Sequence, residues 1–81
     1  MTSIAVLTFA DGVVEQALRP VFRIRRATGA TPPPRMDYAD LIDQGYRQVD
    51  PGMVSEGDQV YAVRNHTSGS RWLLATISRT A

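Results

Sequence analysis

The run Arg71 to Ser78 (RWLLATIS) is apolar on both of the faces that an extended strand would present. Successive strand side chains point to opposite sides, so Leu73, Ala75 and Ile77 alternate against Trp72, Leu74 and Thr76. The run Gln59 to Arg64 (QVYAVR) behaves alike, with Val60 and Ala62 on one face and Tyr61 and Val63 on the other. A hairpin joining them across Asn65 to Ser70 cannot stand as a ribbon with one wetted face. Both faces need cover, from closure into a small barrel or from a helix laid on the sheet. The expected fold is therefore α+β: a small antiparallel sheet, or a partly closed barrel, with one short helix.

The means of covering it are limited. A chain of 81 residues makes a single domain, 1–81, and buries only about 60–65% of its unfolded surface. Cysteine is absent, which removes disulfides, thiolate metal sites and thiol catalysis. Stability has to come from packing, alone or with self-association, so a homo-oligomer is one expected form. At 43% apolar and 21% charged residues, the composition is that of a folded chain rather than a disordered one.

Elsewhere the punctuation is clear. Ser3 to Phe9 (SIAVLTF) is dense in β-branched and aromatic residues and predicts a strand. Asp11-Gly12 is a hairpin signal, with a type I′ turn expected and a return strand from Val13. The competing reading makes Asp11 the N-cap of a short helix through Leu18, ended before Pro20. Val21 to Ala27 (VFRIRRA) predicts a strand with Val21, Arg23 and Arg25 on one face and Phe22 and Ile24 on the other. Thr28 to Arg35 (TGATPPPR) reads as a stiff spacer crossing one face rather than a proline-rich ligand. The helix is expected from Asp37 to Gln44, with Asp37 capping it, Asp40 favouring its N-terminus, and Tyr38, Leu41 and Ile42 facing the core. Gly45 suits its end. Tyr46 to Val49 predicts a short strand, and Pro51-Gly52 and Glu56-Gly57-Asp58 predict turns.

The series Tyr46-Arg47, Val49, Pro51-Gly52, Gly57-Asp58, Val60-Tyr61, with Trp72 downstream, resembles a pattern in small phage and prophage accessory proteins. It covers Tyr46 to about Ile77; Met53 and Gln59 stand where that pattern usually has acidic residues. The resemblance implies provenance more than activity. Gly57-Asp58, Val60-Tyr61-Ala62 and Trp72 to Ile77 are also similar to the first hairpin of Tudor and SH3-like barrels. That likeness implies the barrel shape alone, because only Tyr61 and Trp72 match the aromatic positions.

Every basic residue is arginine, nine in all, a compositional bias that fits a bacterial or phage source. Net charge is only +1, yet residues 37–58 carry six acids against Arg47 alone, while the two ends are basic. Arg19, Arg23, Arg25 and Arg26 set four guanidinium groups within eight residues. An acidic protein surface is the leading expected partner and nucleic acid the alternative, since a pI near 8.3 is low for a committed nucleic-acid binder. With Tyr61, Arg71 and Trp72, these arginines are the candidate partner-binding residues. No catalytic constellation is legible: the one histidine, His66, lies in a polar loop, and Asp37, Asp40 and Asp43 follow a helix rather than a metal-loop spacing. No metal, no cofactor and no enzymatic activity are expected. The apolar stretches Ile4 to Ala10 and Trp72 to Ile77 are far too short to cross a bilayer, and no cation precedes Ile4 as in a signal peptide. A cytoplasmic location in a bacterial or phage-infected cell is the expectation. The chain thus predicts a small binding protein that occludes or adapts a host or viral protein, an anti-defence inhibitor being one such role. The alternative is a nucleic-acid-binding module built on Arg19 to Arg26.

Overall fold

The computed structural model describes residues 4–24, 31–64 and 71–80. Its frame is one antiparallel sheet of seven strands: β1 (Ile4–Phe9), β2 (Val14–Gln16), β3 (Val21–Arg23), β4 (Arg35–Asp37), β5 (Gln48–Val49), β6 (Gln59–Ala62) and β7 (Arg71–Thr80). Their order is β2-β1-β7-β6-β3-β5. β4 pairs with the first residues of β7, on the edge that β1 takes further along. Leu73 therefore has Arg35 on one side and Ala62 on the other, and Ala75 lies between Phe9 and Val60. The order runs open from β2 to β5, so the structure provides the antiparallel sheet but not the closure of a barrel.

The two-faced alternation of the C-terminal hairpin becomes two core clusters. Leu7, Phe9, Val21, Val54, Val60, Ala62, Ala75 and Ile77 fill one face. Phe22, Leu41, Tyr61 and Trp72 fill the other, under the one α-helix among the described residues, α1 (Tyr38–Asp43). The sequence alternatives were closure or a helical lid, and on this second face the lid is what covers the sheet. Phe22 meets Trp72 edge-on at 4.8 Å between ring centroids, a favourable aromatic geometry. The proline strap is tied to the same sheet: the Tyr61 hydroxyl donates to the Pro33 carbonyl at 2.9 Å, and the Leu74 N–H donates to that of Pro34 at 2.9 Å.

Several local expectations need correction. Residues 4–16 form a hairpin, not a strand and a helix, but its turn is not type I′. That turn needs positive φ at both central residues, and only Gly12 has it, at +88°. The N–H of Gly12 donates to Phe9, and that of Phe9 to Val13, giving a three-residue loop with glycine in the left-handed position. Asp11 supports it by accepting from the Val13 N–H at 3.2 Å. The strand expected over residues 21–27 is described only as Val21–Arg23; residues 25–27 lie outside the described ones. The helix is shorter than expected because Asp37 is still paired in β4, opposite Arg71. Asp37 occupies the N-cap position but its side chain makes no capping bond. Of the expected core stripe only Leu41 is buried; Tyr38 and Ile42 are exposed, with Tyr38 lying over Phe22 and Trp72. The strand expected from Tyr46 narrows to β5, and Pro51–Met53 form a 3-10 turn, η1, capped by the Asp50 carboxylate on the Gly52 N–H.

Candidate binding site

The end of α1 decides where the candidate site forms. Gln44 is the C-cap and Gly45 follows with φ +84°. The Gly45 N–H donates to Ile42 and the Tyr46 N–H to Leu41, at 3.0 and 3.1 Å, the bond pair of a Schellman motif. The Tyr46 ring packs back onto the helix-side cluster, which turns the chain into β5 beside β3. The β3/β5 register sets Val21 opposite Val49 and Phe22 opposite Gln48. Arg47, the residue before β5, and Arg23, the last residue of β3, line one shallow cleft with Gly45, Tyr46 and Val49.

Like charges held near one another repel. Arg23 is exposed and donates from its guanidinium to the Met53 carbonyl, which fixes its direction without neutralising it. Among the described residues, neither Arg23 nor Arg47 forms an ion pair. Two forked donors of one sign therefore share a cleft with no internal anion, an arrangement that suits an incoming carboxylate or phosphate.

The remaining arginines differ. Arg64 pairs with Asp11 and lies over the Phe9 ring, 4.7 Å from its centroid. That hydrogen bond holds the Asp11 carboxyl below its usual range and raises Arg64 above its own. Arg79 donates to the carbonyls of Val54 and Pro51 at 2.8 and 2.9 Å and so serves the loop beneath η1. Arg71 stands with Arg35 around an open cleft of about 450 Å³ whose other walls include Asp37 and Asp40. Its charge is already faced by acids, which separates it from the Arg23 side.

Of the residues singled out from sequence, Arg19 and Arg23 are exposed near one another in the chain, and Arg25 and Arg26 lie outside the described residues. Tyr61 and Trp72 are buried side by side in the core beneath α1, Tyr61 completely. Burial pushes the Tyr61 hydroxyl up from its ordinary range. His66 also lies outside the described residues. Among the described residues no group of three or more His, Cys, Asp or Glu could hold a metal ion, and no helix is long and apolar enough to cross a membrane. Arg47 was not singled out from sequence. Its partnership with Arg23 depends on strand register between segments 24 positions apart, and no local pattern carries that. Comparison with protein-family models, curated proteins and solved structures finds no match.

Proposed function

We propose that this chain is a non-catalytic binding protein that engages an acidic surface of another protein through Arg19, Arg23 and Arg47, with Arg25 and Arg26 extending the same basic run. The observation that carries this reading is the Arg23–Arg47 juxtaposition, two cations lining one cleft without an ion pair among the described residues. A partner carboxylate removes the repulsion and accepts charge-assisted hydrogen bonds, each worth about 1.5–3 kcal/mol where well formed.

An acidic protein is favoured over nucleic acid by how the cations are distributed. Arg64 and Arg79 are committed to internal contacts and Arg71 faces Asp37, so no long phosphate-tracking stripe remains among the described residues. The mode of action is steric: the small domain occludes or bridges its partner in the cytoplasm. The resemblance of residues 46–77 to phage accessory proteins makes a host or viral protein the natural target, with an anti-defence inhibitor as one form.

Affinity capture from a bacterial lysate, with the wild type beside an Arg23→Ser/Arg47→Ser variant, tests the proposal. The expected result is a protein retained by the wild type and lost with the variant, with association slowing as salt rises. Equal retention by both overturns it. Retention of DNA or RNA alone, with a salt slope shallower by about two in the variant, transfers the site to nucleic acid.

A further inference from the structure

β7 changes partners along one edge, and the seam where it does so is open. Phe9, the last residue of β1, lies opposite Ala75, and Arg35, the first of β4, lies opposite Leu73. The chain before Arg35 cannot close the seam by extending the ladder, because proline has no N–H to donate. The Leu74 N–H donates to the Pro34 carbonyl at 2.9 Å, and Pro34 returns nothing to the Leu74 carbonyl. What is left is a cleft of about 370 Å³ with Phe9, Pro34, Leu73 and Leu74 in its walls. Its size and apolar walls are those of a small-molecule site, where a few polar groups fix the ligand.

The charged groups in the same lining are two arginines and one acid, Arg35 and Arg64 with Asp11. Asp11 is already engaged, accepting from the Arg64 guanidinium and from the Val13 N–H. One positive charge is therefore left over. Arg35 is exposed and forms no ion pair among the described residues. Arg64, seated over the Phe9 ring, reaches Asp11 through one terminal nitrogen, and its Nε is buried with no hydrogen-bond partner among the described residues. Buried donors are nearly always paired, so an orphaned one in the wall of a cleft needs an account. A guanidinium whose fork is half used, beside a second one that is free, is completed by a further carboxylate.

We propose that this seam binds a small monocarboxylate with a compact apolar body. The carboxylate lies between Arg35 and Arg64, and the body rests on Pro34, Leu73 and Leu74. Arg64 keeps Asp11 on its terminal nitrogen and turns its guanidinium enough to bring the covered Nε to the incoming oxygen. Asp11 itself shows that this guanidinium takes a carboxylate. The seam shares no lining residue with the Arg23–Arg47 cleft, so it stands or falls apart from the partner-binding reading.

The test titrates the intact ¹⁵N-labelled chain with phenylacetate, phenylacetamide and inorganic phosphate, and follows backbone amides and the Arg64 Nε–H by NMR. Phenylacetate is expected to shift the amides of Asp11, Leu73 and Leu74 and the Arg64 Nε–H together, saturating below about 5 mM. Phenylacetamide, which lacks the charge, and phosphate, which lacks the apolar body, should each bind about tenfold more weakly or worse. Arg64→Lys keeps the charge and removes the Nε donor, and should weaken phenylacetate about tenfold. Arg35→Gln changes an exposed side chain, should weaken it likewise, and replaces Arg64→Lys should that variant fail to fold. Arg23→Ser/Arg47→Ser should leave the titration unchanged. No saturable shift at these residues up to about 20 mM overturns the proposal. Equal binding of phenylacetamide or of phosphate overturns it as well, as do shifts that Arg23→Ser/Arg47→Ser abolishes.

Discussion

Arginines in this molecule divide by what their guanidinium groups touch. Arg79 is half-buried and supplies donors to the carbonyls of Val54 and Pro51, so Arg79→Ala leaves those oxygens short of a partner. A loss of about 1–3 kcal/mol in urea-denaturation midpoints is expected. Arg23 and Arg47 line one cleft without an ion pair among the described residues, and replacing Arg47 with Ser lowers the like charge there. The stability of Arg47→Ser should equal or exceed the wild type within about 0.5 kcal/mol; a clear loss in the same titration would mean that Arg47 is held in a structural contact. Tyr61 shows a third behaviour, a buried hydroxyl with one acceptor, Pro33. Its folded pKa is raised by burial above the ordinary 10.0, so the folded state keeps a proton that the unfolded chain releases. Stability is then fully present below pH 10 and falls as pH rises through the folded value. Tyr61→Phe should cost about 0.5–1.5 kcal/mol at neutral pH and flatten that alkaline decline, read from melting temperature against pH.

At the scale of elements, β7 organises the sheet, because β1, β4 and β6 all pair with it. β7, β6 and β1 are the strands most legible in the sequence, since each carries period-two alternation over at least four residues. β4 was not legible. Arg35–Asp37 has no alternation of its own, follows three prolines, and becomes a strand only because β7 extends past the end of β1 and offers an unpaired edge. The same pairing takes Asp37 from the helix, which explains why the sequence places the helix start one residue early and gives Asp37 a capping bond it does not make. At the candidate site, Arg23 was legible from the alternation of residues 21–26, whereas Arg47 needed the register of two distant segments. Tyr61 and Trp72 read as either anchors or contacts, and a lid over that face made them anchors. Two substitutions probe the elements directly. Gly12→Ala meets open space but keeps φ +88°, so the cost should be purely conformational, about 1–2 kcal/mol, with the β1–β2 hairpin loosened in amide exchange. Leu41 is the helix's one buried residue, and Leu41→Ala should cost about 2–5 kcal/mol.

Across the whole molecule, the two core clusters lie on opposite faces of one sheet and share its strands. Val60 and Ala62 of β6 face one cluster while Tyr61, between them, faces the other; Ala75 and Ile77 of β7 do the same against Trp72 and Leu74. Neither cluster can dissolve while those strands stay ordered, and the strands cannot stay ordered with either face stripped of its cover. Unfolding should therefore be a single cooperative event despite the two-sided core. The chain provides its own reporter: Trp72 is the only tryptophan and sits in the helix-side cluster, in edge contact with Phe22. Its fluorescence follows that face, while far-ultraviolet circular dichroism follows the sheet. Urea titrations by the two probes should coincide for the wild type. They should still coincide for Leu41→Ala, which weakens the helix side, and for Val54→Ala, which weakens the other, with both midpoints shifted down and slopes retained. A fluorescence transition preceding the dichroism transition in Leu41→Ala would show instead that α1 and its cluster detach as a separate unit. In that case Gly45 to Arg47 would lose their fixed place beside β3, and the Arg23–Arg47 cleft would form only when the helix is docked.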